Sequence, residues 1–289
     1  MRRVSVFVVA LAACHVSDVD LTGKQCPCPS GWVCRAATNT CARTQGPMDD
    51  APVDIAGDGT DTPALAYRDA VIADNPISYW RLGDSGTVAK DEMGHNDGTY
   101  VGGCRHGQPG AIAGDIDTAT AFDGSSCEVQ LPAAFDFPGN APFTLEAWFD
   151  LASAPTIFFH LFTKEVRNMG NPVDGYSLLI SPTVGVEIER VVAGSNNKSP
   201  ALVVAPGRYA HAVAVYDGTQ LLMYVDGTSI GTRAEVAVAN SITMPALIGA
   251  ESTGGYFTGE IDEVAVYGHA LSAARIALHH QLGVQGARD

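Results

Sequence analysis

The sequence predicts an all-β chain whose main domain is an antiparallel sandwich. Three observations carry this. Short β-rich runs recur from Ala66 onward, among them ISYWRL, FTLEAWFDL, GYSLLI, VGVEIER and GEIDEVAVY, each bounded by turn residues. The stretch VYDGTQLLMYVDGTSIG sets Asp-Gly turns between alternating strands, the pattern of a meander. One segment only reads clearly as a helix: LSAARIALHHQLG near the end, with Ser272 as N-cap and Gly283 as its stop. Leu271, Ile276 and Leu282 are placed to pack that helix on the sandwich.

Upstream of the sandwich the chain is built from small pieces. Residues 1–13 read as a secretion signal: Arg2 and Arg3 form a charged start, Val4 to Leu11 an apolar stretch, and small residues follow. Leu11-Ala12-Ala13-Cys14 resembles the bacterial lipobox. That resemblance implies cleavage before Cys14 and acylation of its sulfur and amine, so that lipid chains hold the protein on a membrane. The chain has seven cysteines, and an odd count in an exported protein leaves one over. Lipidation of Cys14 removes it and leaves six for three disulfides in an oxidising compartment.

Residues 14–42 hold the lipidated N-terminus and a small knot, CPCPSGWVCRAATNTC. So short a piece cannot bury a core and is stapled instead. Cys26 and Cys28 are too close to bond each other. Two pairings are left: Cys26–Cys34 with Cys28–Cys41, which is preferred, or Cys26–Cys41 with Cys28–Cys34. Spacings of one, five and six residues suit a four-thiolate zinc site poorly. Residues 43–65, rich in Pro, Gly, Asp and Ala, read as an extended, self-repelling linker. The sandwich is expected over 66–284.

Composition narrows the function. Of 289 residues, 46% are hydrophobic and 17% charged, a globular balance. Asp and Glu number 32 against 17 Lys and Arg, so phosphate backbones and acidic headgroups repel the chain and no nucleic-acid partner is expected. No stretch after residue 14 is apolar enough to span a bilayer.

Taken in order, AVIADNPISYWRLGD, DEMGHNDGTYVGG, GAIAGDIDTATAFDGSSCEVQLP, FTLEAWF, YDGTQLLMYVDGTSIG and GEIDEVAVYGHALSAARIALHH resemble a laminin-G-like, concanavalin A-like jelly roll. The resemblance covers about Ala66 to Gly283. It implies two packed antiparallel sheets, extracellular placement and carbohydrate or glycoprotein binding. It also implies a structural Ca²⁺ held by Asp262 of the final strand, with Asp84 of YWRLGD as another ligand and Asp123 of FDG as a spare candidate; calcium takes six to eight oxygens. A disulfide between Cys104 and Cys127 is expected to clamp a Gly-rich loop, worth about 3 kcal/mol by loop closure.

The final strand opens on adjacent acids, Asp262 and Glu263. Alternation puts Asp262, Val264 and Val266 on one face and Glu263 on the other. If ISYWRL pairs with this strand, Arg81 and Glu263 form a cross-strand ion pair, while Trp80 and Leu82 join Val264 and Val266 inside.

No catalysis is expected. Glucanases on this fold resemble one another through Glu-x-Asp-x-x-Glu. The nearest match, VEIERVV, offers Glu187 and Glu189 but ends on Val192, so the acid/base is missing. Glu187 and Glu189 read as solvated beside Arg190, and His279 and His280 as surface residues. There is no Gly-x-Ser-x-Gly elbow and no His-Glu-x-x-His helix. Trp80 and Trp148 read as core. The ligand candidates are loop residues: Tyr256 in STGGYFTG, Asn171 and Asp174 in GNPVDGY, Asn196 and Asn197 in GSNNKSP.

The sequence therefore points to an exported protein, lipid-anchored to a bacterial membrane at the outer membrane or cell surface, with a non-catalytic module that binds a glycan or glycosylated partner. The alternatives are a glycan-processing hydrolase on the same fold and a structural envelope protein with only protein partners.

Overall fold

The computed structural model describes residues 32–35, 40–43 and 66–285. Residues 1–13, Cys14, Cys26, Cys28 and residues 44–65 lie outside the described residues. The chain divides into Met1–Gly57 and Asp58–Asp289. In the first unit β1 (Trp32–Arg35) and β2 (Thr40–Arg43) form an antiparallel pair that sets Cys34 opposite Cys41.

The second unit runs α1 (Tyr67–Ala73), β3 (Ser78–Trp80), β4 (Val88–Ala89), β5 (Gly98–Val101), β6 (Arg105–Pro109), β7 (Thr118–Asp123), β8 (Glu128–Gln130), β9 (Phe143–Leu151), β10 (Phe159–Asn168), β11 (Asn171–Ser181), β12 (Gly185–Val192), β13 (Ser195–Lys198), β14 (Ala210–Tyr216), β15 (Gln220–Val225), β16 (Thr228–Ala234), β17 (Leu247–Ile248), β18 (Thr258–Tyr267) and α2 (Ala273–Gln285). One sheet has the order β13-β12-β11-β10-β17-β8-β5-β4, and the other β16-β15-β14-β9-β18-β7-β6, with β3 added on β18. Long crossovers bring β17 beside β8 and β18 between β9 and β7, as a jelly roll requires. The β14–β15–β16 meander closes on the two Asp-Gly turns. In the second, Asp226 and Gly227 both take positive φ, the geometry that joins two twisted strands without splaying them.

Two cores follow from strand alternation. Trp80, Phe122, Phe149, Phe162, Ile188, Val264 and Phe257 fill the space between the sheets. On the outer face of the second sheet, Tyr67, Val71, Trp148, Val213, Tyr267, Leu271 and Ile276 pack under the helices, with Leu282 against them. Cys104 and Cys127 are bonded, with Cα atoms 4.8 Å apart.

The structure departs from the sequence reading in five places. A second helix, α1, precedes β3; Tyr67, Ala70 and Val71 bury one face, and Asn75, at φ 52°, turns the chain out before Pro76. Gly283 does not stop α2. It sits inside the helix because a Cβ there would lie 2.3 Å from Trp148 Cζ2. His279 is a core residue, fully buried. Glu187, Glu189 and Arg190 are buried rather than solvated. Finally, β18 carries a bulge between Asp262 and Ala265, with Glu263 at φ 51°. The extra residue resets the alternation, so Val264 and Val266 face the inter-sheet core while Asp262, opposite Trp148, faces outward.

Candidate functional site

Three polar clusters merit a functional reading. The first grows from the β18 bulge. Arg81, just past β3, reaches Glu263 through Nε at 3.0 Å and Nη2 at 2.9 Å, the cross-strand pair expected from sequence. Tyr79 donates its hydroxyl to the same carboxylate. Asp262 accepts from the backbone N–H of Ala111 at 2.7 Å and of Glu263 at 3.0 Å. Asp117 Oδ2 lies 3.2 Å from Arg81 Nε, buried and without a hydrogen bond of its own. Single carboxylate oxygens of Asp117, Asp262 and Glu263 come within 4.8 Å of one another. Burial pushes Asp262 up to about 7 and, with the charge of Asp262, holds Glu263 well above the usual carboxylate range.

That donor set suits a hard cation, since Arg81 is already shared by Asp115, Asp117 and Glu263, Asp262 adds a fourth acid, and Asp117 keeps a buried oxygen with no donor. Asp84 and Asp123 are used elsewhere. Asp84 accepts from Lys90 N–H and Tyr100 OH. Asp123 wraps the next loop, accepting from the N–H groups of Ser125, Ser126 and Cys127. Asp117, which the sequence reading passed over, stands two residues after Asp115 in a GDID run.

The second cluster lies under the helices. Glu146, the one acid of FTLEAWF, is fully buried. Tyr67 donates to its Oε1 at 3.0 Å and Tyr267 to its Oε2 at 2.7 Å. His211 Nε2 is 2.7 Å and His279 Nδ1 3.0 Å from Oε1, and His279 Nε2 is 3.0 Å from Asp74. Burial disfavours every charge here. The His279 charge and the histidine hydrogen bonds nonetheless hold Glu146 well below its ordinary range, and Glu146 and Asp74 raise His279 to about 9. The cluster joins α1, α2, β9, β14 and β18 as a buried latch.

The third cluster opens to solvent. The outer face of the first sheet, over β10 to β13, carries a cavity of about 370 Å³. Its walls include Ile157, Phe158, His160, Arg167, Asn171, Leu179, Glu189, Asn196, Lys198 and Glu251. Alternation on β12 turns Val186 and Ile188 inward and Glu187 and Glu189 outward. Lys198 lies opposite Glu189 on β13; its Nζ is 2.8 Å from Glu187 and 4.8 Å above the Phe158 ring. Arg167 bridges Glu165 at 2.8 Å and Glu251 at 2.6 Å. Phe158 and Ile157 are exposed apolar side chains on the rim.

The structure thus brings Asn171 and Asn196 to one cavity. Asp174 instead accepts from Ala193 N–H and Asn240, outside it. Tyr256 is half-buried and off the lining, although its neighbour Gly255 lines it. Asn197 pairs with Arg190 across the strands. Sequence reasoning missed Phe158, Glu165, Arg167 and Lys198; the signal available was the charged end, KEVR, of the otherwise largely apolar run TIFFHLFTKEVR.

A profile of the concanavalin A-like lectin/glucanases superfamily matches residues 123–277, more than half of the chain. The chain belongs to this superfamily. Solved structures share the fold at low identity. Trypanosoma rangeli sialidase in complex with the inhibitor DANA is 15% identical, over 71% of this chain and 32% of that one, with a TM-score of 0.51. Domain 4 of AbnA, a GH43 extracellular arabinanase from Geobacillus stearothermophilus, in complex with arabinotriose, is 18% identical over 71% and 97%, with a TM-score of 0.53. The binding domain of botulinum neurotoxin serotype G is 9% identical over 73% and 52%, with a TM-score of 0.56. The chain therefore spans about a third of the sialidase's length and about half of the neurotoxin domain's. No curated protein matches this superfamily member.

Proposed function

We infer that this chain is a non-catalytic saccharide-binding module and that the cavity over β10 to β13 is its binding surface. The observation that carries this is the pairing, on one open face, of an exposed aromatic ring, Phe158, with the hydrogen-bonding groups of Asn171, Asn196, Glu189 and Lys198. Sugars present apolar C–H faces and many hydroxyls, and such a combination recognises both. The arabinotriose complex of the arabinanase domain and the neurotoxin binding domain, which share the fold, support the reading by analogy. Arrayed glycans probed with the full chain test it: retention of a defined glycan class is expected, and no retention of any glycan overturns it.

One observation favours a hydrolase as the second reading. Glu165 is buried beside Glu189, and burial pushes it up to about 7, the range of a general acid. Against it, Glu187 and Glu189 are held by Lys198 and Asn196. Release of reducing ends from the bound glycan decides between the two.

The same proposal includes a Ca²⁺ held by Asp117, Asp262 and Glu263, with a structural role. It also includes export and lipid anchoring through Cys14 at a bacterial envelope. Mass spectrometry of the N-terminal peptide tests the anchor, expecting a diacylated or triacylated Cys14; an unmodified thiol contradicts it.

A further inference from the structure

We propose that the cavity over β10 to β13 selects amine-bearing saccharides and rejects those carrying carboxylates or sulfates. This rests on the saccharide-site reading above and adds the chemistry of the ligand. The argument is one of spent and unspent charge. Recognition of an anionic sugar needs a guanidinium or ammonium free to turn to it. Neither cation of this face is free. Arg167 is neutralised where it stands: Nη2 donates to Glu165 at 2.8 Å, Nη1 donates to the Gly170 carbonyl at 2.8 Å, and Nε, buried and without an aligned hydrogen bond, lies 2.6 Å from the Glu251 carboxylate. Lys198 lies between Glu187 at 2.8 Å and Glu189 at 3.6 Å, over the Phe158 ring. His160, the remaining basic group, is neutral, because burial lowers it to about 4.

Acids outnumber these cations. Glu187, Glu189 and Glu251 face Arg167 and Lys198, so carboxylates outnumber cations even at about pH 6, where Glu165, raised to about 7 by burial, is mostly protonated. The excess is felt locally: after burial, the charges of Glu189 and Glu251 act to raise Glu165. A carboxylate entering this face meets uncompensated repulsion, whereas a protonated amine supplies the missing charge. The chain's formal net charge of −15 adds a long-range field of the same sign.

Calorimetry on the full chain tests this with three oligosaccharides of equal length at about pH 6, where the amine is protonated: oligoglucosamine, its N-acetylated form and an oligogalacturonate. The expected order is oligoglucosamine tighter than its N-acetylated form by at least about tenfold, with no binding of the oligogalacturonate. Glu189→Gln, and Glu189→Gln with Glu251→Gln, should bring the ratio of the oligoglucosamine affinity to that of its N-acetylated form close to one, whatever happens to the two absolute affinities. Equal or tighter binding of the oligogalacturonate overturns the proposal. So does an amine preference that survives in both variants, which would place it on the general surface charge. Oligolysine binding as tightly as oligoglucosamine overturns it in favour of a peptide partner. Absence of binding by all three sugars overturns this proposal, while the saccharide reading itself falls only if the array also retains no glycan.

Discussion

Glu146 of β9 and His279 of α2 meet at 3.0 Å with neither side chain exposed to solvent. A charge pair so deep stands because Tyr67, Tyr267 and His211 hydrogen-bond the Glu146 carboxylate and a second acid, Asp74, lies 3.0 Å from His279 Nε2. Removing one partner leaves the other stranded. His279→Ala is expected to cost about 3–5 kcal/mol in urea unfolding near neutral pH. Loss of less than about 1 kcal/mol would show that the pair holds nothing.

The same pair sets a pH dependence. His279 binds its proton more tightly in the folded chain, with its pKa raised to about 9, than in the unfolded chain. Its contribution is complete below the unfolded value of about 6.5 and is lost as pH rises through about 9. Thermal melts of the wild type should fall across that window, and His279→Gln should flatten that part of the profile.

Gly283→Ala separates a helix-propensity effect from a packing effect. Within an ordinary helix the change stabilises by about 1 kcal/mol. Here the new Cβ would fall 2.3 Å from Trp148 Cζ2, so destabilisation by about 1–3 kcal/mol is expected. A gain in stability would mean that α2 does not lie against Trp148 as described.

The bulge at Glu263 gathers the acids proposed to hold calcium. Asp262, raised to about 7, keeps its proton in the folded chain at low pH, so its contribution is present below about 4 and is lost as pH rises through about 7. A divalent cation replaces that proton. Calcium should therefore raise the melting temperature at about pH 8 and leave it unchanged at about pH 5, with Asp262→Asn losing the difference. Identical melts in calcium and in EDTA at the higher pH contradict a cation at this cluster.

Much of this was legible in the chain. The Asp-Gly turns, the pairing of SYW with the last strand, the Arg81–Glu263 ion pair and the Cys104–Cys127 bridge all follow from alternation, turn chemistry and family resemblance. What escaped did so for local reasons. A single inserted residue at Glu263 reverses which face Asp262 occupies, and nothing in GEIDEVAVY announces it. His279 stands three residues after Ile276 and four before Gly283, on one buried helix face, so its core position was readable from spacing; its polarity masked it. Glu187 and Glu189 alternate as expected, but whether an outer face is solvated or walled depends on segments distant in sequence: β13, the residues before β10 and the loop after β17. The cavity is assembled from these and has no contiguous motif.

The most direct test of the saccharide surface is one affinity ratio. With the best glycan from the array, binding to the wild type is compared with binding to Phe158→Ala, whose ring is exposed on the cavity rim and supports little of the core. An unchanged melting temperature and an affinity loss of about tenfold or more are expected, from removal of one stacking platform. Equal affinity in the two proteins would place the binding surface elsewhere on the sandwich.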